Sequence, residues 1–343
     1  DISIKKISRM NINLNDKQKQ AVEHKKGALL IIAGAGTGKT AVITQRITHI
    51  INSGWAKPHE ILALTFTDKA AQEMLDRVDE SLPLGYGDIW ISTFHSFCDR
   101  ILKQESYNIG LDSNYTMMSG AQSYIFLRKH LFDLSLKKFR PYGNPTKFLN
   151  DLLSHFSRLQ DEDVSPQEYL EYAKSLSKSG KVEKEEYEDT LELATVYDEY
   201  TNLKIQNSKI DFGDLILLTI KLFREKPNVL KRYQEKFKYI LVDEFQDTNY
   251  TQSVLVNILA GLDPKTDISK VGKVNPNLTV VGDDDQAIYK FRGAAISNIL
   301  QFKQLYPKAK EVVLTDNYRS RQEILDSAYT LIKHNNPNRL EIT

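Results

Sequence analysis

The 343-residue sequence has a single cysteine, Cys98. No intramolecular disulfide can form, which excludes a disulfide-framed secreted scaffold and fits a reducing compartment. Long apolar runs are missing too. The longest, "ALLIIAGAG" from Ala28, falls well short of the roughly 18 residues of a membrane span. It also lies behind a mostly polar stretch, which argues against a signal peptide. The expectation is a cytoplasmic protein with no membrane contact. Charge of one sign is absent: 46 Lys and Arg stand against 45 Asp and Glu, for a net charge of +1. That excludes a basic surface throughout, but not a local basic groove for nucleic acid. At 41% hydrophobic and 27% charged residues, the composition is that of a globular protein. No internal repeat appears. The charge run "KVEKEEYED" (181–189) reads as a solvated helical face.

Short apolar runs bounded by Gly, Asp or Thr are plentiful. They are "ALLIIA" (28–33), "ILALTF" (61–66), "IWIST" (89–93), "YILVD" (239–243), "LTVVG" (278–282) and "EVVLT" (311–315). Rich in Ile, Val and Leu with little polar alternation, they predict strands buried on both faces, hence a parallel sheet with helices on both sides. Val42, Ile43, Ile47, Ile50 and Ile51 recur at helical spacing, with Gly54 as the stop. Asp68 is expected to cap a helix carrying Ala71, Met74, Leu75 and Val78. Strand–helix alternation is the α/β signature. From about 106 to 210 no strand is expected. Ser165-Pro166-Gln167-Glu168 is a capping box opening a helix that ends near Gly180. A second helix over about 182–205 places Tyr187, Leu191, Ala194 and Tyr200 on one face. The chain reads as an α/β domain split by an all-helical insertion.

The string "AGAGTGKT" (33–40) follows the first run and opens a helix, as a phosphate-binding loop does. Gly34, Gly36 and Gly38, with Ala35 and Thr37 between them, allow a tight backbone whose N–H groups converge on phosphate. Ala33 stands where the strict pattern has glycine. Lys39 can reach the β- and γ-phosphates and Thr40 can offer its hydroxyl to Mg²⁺. In "YILVDEFQDTN" (239–249) a strand ends in Asp243, the metal residue, and Glu244, the base for an attacking water. The Asn-Lys-x-Asp motif of a GTPase is absent, and "FTDKAA" does not fit it. His95 lacks a suitably spaced second His or Cys for a metal site, and Cys98 reads as a small buried residue. The acidic run Asp283-Asp284-Asp285 in "VVGDDDQAIYKFRGA" (280–294) is a poor metal site beside Asp243 and Thr40. It reads as a polar strand end whose side chains can cap the succeeding segment.

Seven ordered segments carry a resemblance: "LNDKQKQAV" (14–22), "AGAGTGKT", "ALTFTDKAAQEM" (63–74), "ISTFHSF" (91–97), "LVDEFQDTN" (241–249), "VVGDDDQAIYKFRGA" and "LTDNYRS" (314–320). Together they resemble the N-terminal part of a superfamily 1A DNA helicase of the UvrD/Rep type. The resemblance implies a RecA-like P-loop NTPase domain over 1–105 and 209–315, a helical insertion over 106–208, and the start of a second RecA-like domain over 316–343. It implies that Gln18 reads adenine, Tyr318 stacks on the base, and Arg319 and Gln286 meet the γ-phosphate. Phe66, Thr67, Thr93, Phe94, His95, Tyr289, Phe291 and Arg292 fall on DNA-facing segments, with core packing a rival role for Phe66 and Phe94. Departures are Asp68 for a frequent asparagine, Phe291 for a usual tryptophan and Ala41 for a frequent arginine. The implied activity is ATP- and Mg²⁺-dependent 3′–5′ movement on single-stranded DNA and at single-strand/duplex junctions. The second domain supplies the rest of the nucleotide pocket. This chain alone, a monomer, is therefore expected to bind nucleotide weakly and hydrolyse it slowly. The rivals are a helicase subunit of a helicase–nuclease complex and a non-catalytic DNA- or partner-binding module. Intact Lys39, Thr40, Asp243, Glu244, Gln286 and Arg319 argue against the module.

Overall fold

Each of the six apolar runs forms a strand. In the computed structural model, which describes residues 13–82, 88–179, 183–283, 286 and 297–332, the strands in chain order are β1 (Leu29–Ala33), β2 (Ile61–Thr65), β3 (Trp90–Thr93), β4 (Thr116–Met117), β5 (Lys209–Ile210), β6 (Tyr239–Val242), β7 (Leu278–Gly282) and β8 (Lys310–Leu314). Six of them build one sheet in the order β3-β2-β6-β7-β1-β8, and every pairing in it is parallel. β1, β2, β6 and β7 are buried along their whole length. That is why they read as unbroken apolar runs rather than alternating ones.

The register decides where function can sit. Ala33 lies beside Leu314, Ile32 beside Gly282, and Val242 beside both Leu64 and Val280. Carboxyl ends therefore line up, and the segments leaving β1, β2, β6, β7 and β8 emerge on one edge, where open α/β sheets hold ligands. One side of the core packs Leu29, Ile31, Val42, Ile43, Ile47, Met74, Val78 and Leu241 together. These come from the sheet and from helices Lys39–Asn52 and Asp68–Ser81. The first of those helices stops as the sequence predicts. Gly54 adopts φ +67, and the N–H groups of Gly54 and Trp55 return to Ile51 and Ile50 carbonyls at 3.0 Å each. The second differs from expectation by one residue. Thr67 is its cap, accepting the Ala70 N–H at 3.1 Å. Asp68 instead sits in the first turn, where its charge suits the helix dipole.

The backbone divides into two compact units: Asp1–Phe94 with Lys231–Thr248 and Val256–Thr343, and His95–Leu230 with Asn249–Leu255. The second unit is helical around Leu127, Leu152, Phe156, Ala173, Tyr197 and Tyr200. Its helix Pro166–Ser179 is opened by the expected box: Ser165 Oγ accepts the Glu168 N–H at 3.2 Å, and Glu168 Oε2 accepts the Ser165 N–H at 2.9 Å. Helix Lys184–Gln206 follows, with Ala194 and Tyr200 buried on it. The expectation of no strand between 106 and 210 is corrected by β4 and β5, which pair in parallel. At two residues each they are too short to leave a period-2 signal. No helix among the described residues is long and apolar enough to cross a membrane.

A buried charge cluster ties this unit together. Lys204, 1% exposed, donates to Asp211 Oδ2 and Asp214 Oδ2 at 2.6 Å each. Gln160 donates to the other oxygens of the same carboxylates at 3.0 and 2.9 Å. Burial works against the Lys204 charge, but the two carboxylates outweigh it and hold the ammonium pKa above its usual value. Removing the cation alone would strand both acids. Lys204→Met is expected to lower stability by about 3–5 kcal/mol, read as a shift in the urea midpoint at neutral pH. A shift below about 1 kcal/mol would mean that the cluster is solvated.

Candidate functional site

β1 runs through residues 34–38 directly into helix Lys39–Asn52. Two glycines make that turn possible. Gly36 and Gly38 hold φ +80 and +89, the left-handed region that side chains disfavour. A Cβ on Gly36 would stand 2.7 Å from Arg319 Cβ, and one on Gly38 would stand 3.0 Å from Gln18 Nε2. Thr37 pins the loop from inside, its hydroxyl donating to the Gly34 carbonyl at 2.8 Å. Gly38 caps the helix without a side chain, leaving the first-turn N–H groups without a side-chain partner. That is the arrangement helices use for anions.

β6 delivers the acids. Asp243 is 5% exposed and accepts the Glu244 N–H at 2.9 Å. Glu244 takes φ +48, unusual for a residue with a Cβ and costing on the order of 1–3 kcal/mol. Its Oε2 receives Lys39 Nζ at 3.1 Å and Gln246 Nε2 at 2.7 Å. Burial, with Glu244 adding, pushes the Asp243 carboxyl up to about 7. Asp247 is pushed up to about 6 by burial and then Glu244, and its buried Oδ1 has no hydrogen-bond partner among the described residues.

The remaining walls come from β7, β8 and the helix Asp16–Val22. At the end of β7 the Asp283 N–H donates to Gln246 Oε1 at 3.0 Å, and Gln286 Nε2 donates to Asp283 Oδ2. Asp283 is thus one acid of the run that holds the turn; Asp284 and Asp285 lie outside the described residues. Beyond β8, Asn317 donates to the Ala35 carbonyl and accepts the N–H groups of Arg319 and Ser320 at 2.9 and 2.8 Å. The Tyr318 N–H reaches the Gly36 carbonyl at 2.9 Å. Asn15 closes the ring: its Nδ2 donates to Asp316 Oδ2 at 2.9 Å and to Tyr318 Oη at 2.8 Å, while its Oδ1 accepts the Gln18 N–H at 2.8 Å. Gln18, 5% exposed, donates to the Thr37 carbonyl at 3.0 Å. Tyr318 and Arg319 are exposed.

The structure therefore gathers Gln18, residues 33–40, Asp243, Glu244, Gln286, Tyr318 and Arg319 around one strand edge. Residues singled out for DNA differ among themselves. The Phe66 ring is exposed and Thr67 caps its helix. Thr93 is buried and Phe94 is 1% exposed, its ring enclosed rather than presented to a base. His95 is half-buried, edge-on to Phe212 at 5.5 Å. Tyr289, Phe291 and Arg292 lie outside the described residues. Cys98 is buried, and that burial pushes its thiol up to about 12. Sequence reasoning missed Asn15, Gln246, Asp247 and Asn317. Asn15 followed by Gln18 is a capping-box spacing that could have been read; Asn317 makes an Asx-type turn with Arg319 and Ser320, but its bond to the Ala35 carbonyl leaves no local signal.

Comparison with known proteins gives the chain a family. A family model described as UvrD/REP helicase N-terminal domain matches residues 14–307. Similar proteins include the ATP-dependent DNA helicase PcrA of Bacillus subtilis, 42% identical over 94% of this chain and 40% of its own length. The protein of the same name from Leuconostoc citreum is 40% identical over 94% of this chain and 39% of its own. The chain thus spans about two-fifths of the length of the curated relatives it matches.

The Asp243 carboxyl gives a pH dependence. Its folded pKa of about 7 exceeds the ordinary 3.8, so folded protein holds a proton that unfolded chain releases. The stabilisation is full below about pH 4 and is lost as pH rises through about 7. With a chelator present, wild-type stability is expected to decline from pH 5 to 8. Asp243→Asn should flatten that decline and leave the variant about 1–4 kcal/mol more stable at pH 8. Parallel melting curves across pH would refute the assignment.

Proposed function

Because the chain belongs to the UvrD/REP helicase N-terminal domain family, we propose that it is the ATP-binding part of an ATP-dependent DNA helicase or translocase. The observation that carries the proposal is the Lys39–Glu244 pair, 3.1 Å apart across the segments that follow β1 and β6. It sits against a loop in which a Cβ on Gly36 or Gly38 would crowd Arg319 or Gln18.

In this reading Lys39 takes the β- and γ-phosphates of ATP, exchanging a carboxylate partner for phosphate. Glu244, released, orients and deprotonates the attacking water. The first-turn N–H groups of helix Lys39–Asn52 receive phosphate oxygens. Arg319 supplies a planar cation for charge that develops in transfer. Gln286 reports the γ-phosphate. Gln18 pairs with the adenine edge, and the exposed Tyr318 ring covers the base. Mg²⁺ fits the oxygen donors Thr40 and Asp243, and it would supply charge neutralisation at the phosphates. Burial of Asp243 and the Asp247 oxygen beside Glu244, which has no partner among the described residues, suit a site short of positive charge.

The partners proposed are single-stranded DNA and single-strand/duplex junctions, with 3′–5′ movement, in the cytoplasm. Phe66, exposed at the carboxyl end of β2, offers a ring on which any base can stack. Thr67 and the half-buried His95 remain proposed contacts, as do Tyr289, Phe291 and Arg292. The longer protein is proposed to complete the nucleotide pocket, and this chain by itself to be a monomer.

Lys39 and Glu244 are expected to separate binding from chemistry in the full-length protein. Lys39→Ala should weaken ATP binding tenfold or more, by about 1.4 kcal/mol or more. Glu244→Gln should leave binding within about threefold and lower kcat by about 100-fold or more. Equilibrium titration with fluorescent ATP and a steady-state ATPase assay read the two. Wild-type turnover in Glu244→Gln would sink the proposal.

A further inference from the structure

Gln246 has no part in the roles above, yet it is 1% exposed and both ends of its amide are engaged. Nε2 donates to Glu244 Oε2 at 2.7 Å and, more weakly, to Asp247 Oδ2 at 3.4 Å. Oε1 accepts the Asp283 N–H at 3.0 Å. Beyond that contact, Gln286 donates to the Asp283 carboxylate. An unbroken line of polar contacts thus runs from Gln286 through Asp283 and Gln246 to Glu244, and on to Lys39. A primary amide suits the middle of such a line because it carries a donor and an acceptor side by side. Glutamate would lack the donor, and methionine would lack both. The backbone makes room for it. A Cβ on Gly282, the last residue of β7, would stand 3.0 Å from Gln246 Oε1. Gly282 is not in the left-handed region, so close approach of this amide, rather than backbone conformation, accounts for the glycine there.

We infer that Gln246 is a positioning residue for Glu244. It fixes the carboxylate that faces Lys39 and ties its orientation to the turn that carries Gln286. The inference rests on the ATP-hydrolysing reading of the site. Among the described residues Glu244 Oε2 has two donors, Lys39 and Gln246. When phosphate claims the ammonium, the Gln246 amide is the donor that remains, and it decides where the carboxylate points. A shift of Asp283 or Gln286 reaches Glu244 through the same amide. A water-activating group needs both its charge and a fixed direction, so the amide acts on chemistry rather than on nucleotide affinity.

The test uses Gln246→Met in the full-length protein, which keeps the length of the side chain and removes both hydrogen bonds. Expected is a fall in kcat for Mg²⁺-dependent ATP hydrolysis of about tenfold or more, with KM for ATP changed by less than about threefold. Combined with Glu244→Gln, it should cost no further kcat, since both changes act through one group. Gly282→Ala crowds the amide without removing it and should give the same split, which carries the test if Gln246→Met proves unstable in a melt. Loss confined to KM, an added loss in the Glu244→Gln background, or unchanged kcat in both variants would overturn the inference. A wild-type protein without ATPase activity, or Glu244→Gln turning over normally, would instead bring down the reading of the site itself. A normal Gln246→Met beside a dead Glu244→Gln removes only the positioning role.

Discussion

The side chain of Lys39 is nearly enclosed, at 9% exposure, and that of its carboxylate partner Glu244 is a third exposed. A buried cation without a counter-charge is costly, so something anionic must always stand there. The surrounding architecture can be understood as the means of supplying that anion. Parallel pairing sets the ends of β1 and β6 on one edge, separated in the sheet only by β7. Left-handed glycines bring the loop around, and left-handed Glu244 turns its carboxylate back toward the lysine. Because the pair is one-to-one and partly wet, it adds little to stability. Its consequence is readiness: exchanging one anion for another leaves the lysine's own desolvation unchanged.

The loop is held from outside as well as by its own turns. Asn317 and Tyr318 bond its carbonyls, and Asn15 binds both the Gln18 backbone and the Tyr318 hydroxyl. The groups proposed to read the base are therefore fixed to the groups proposed to hold the phosphates, by bonds between residues about 300 positions apart in sequence. Pre-organisation of this kind spares the entropy of ordering two segments on binding.

How much of this was legible depended on range. The strands were, because burial on both faces leaves an unbroken apolar run. So was the loop, whose glycine spacing follows from backbone sterics. Thr67 against Asp68 was not, since either residue can cap and only geometry decides which oxygen meets the Ala70 N–H. β4 and β5 were too short to show a period. Phe94 could not be placed from sequence, because a phenylalanine at a strand end packs or stacks equally well on composition alone, and here it packs. Asn317 bonds the nearby Arg319 and Ser320 N–H groups and Gln246 bonds Glu244, but their ties to Ala35 and Asp283 join residues distant in the chain, which no local pattern could mark.

The helical unit contains an instructive contrast. Lys204 is also a buried lysine facing carboxylates, but it has two of them, and Gln160 satisfies their outer oxygens. Burial and the Asp211 charge push the Asp214 carboxyl up, while at Asp211 burial is outweighed by the Lys204 charge and hydrogen bonds, which hold the carboxyl down, so one cation is shared between two acids and both are already engaged. At Lys39 the count is smaller. Among the described residues one carboxylate faces the cation, and the next acid along, Asp247, keeps an oxygen unpartnered. A lysine between two fixed carboxylates is an anchor. A lysine with a single carboxylate that an amide also holds can release its partner without losing track of it. The same side-chain chemistry thus serves rigidity in one unit and exchange in the other, and what separates them is the count of partners and whether those partners are themselves satisfied.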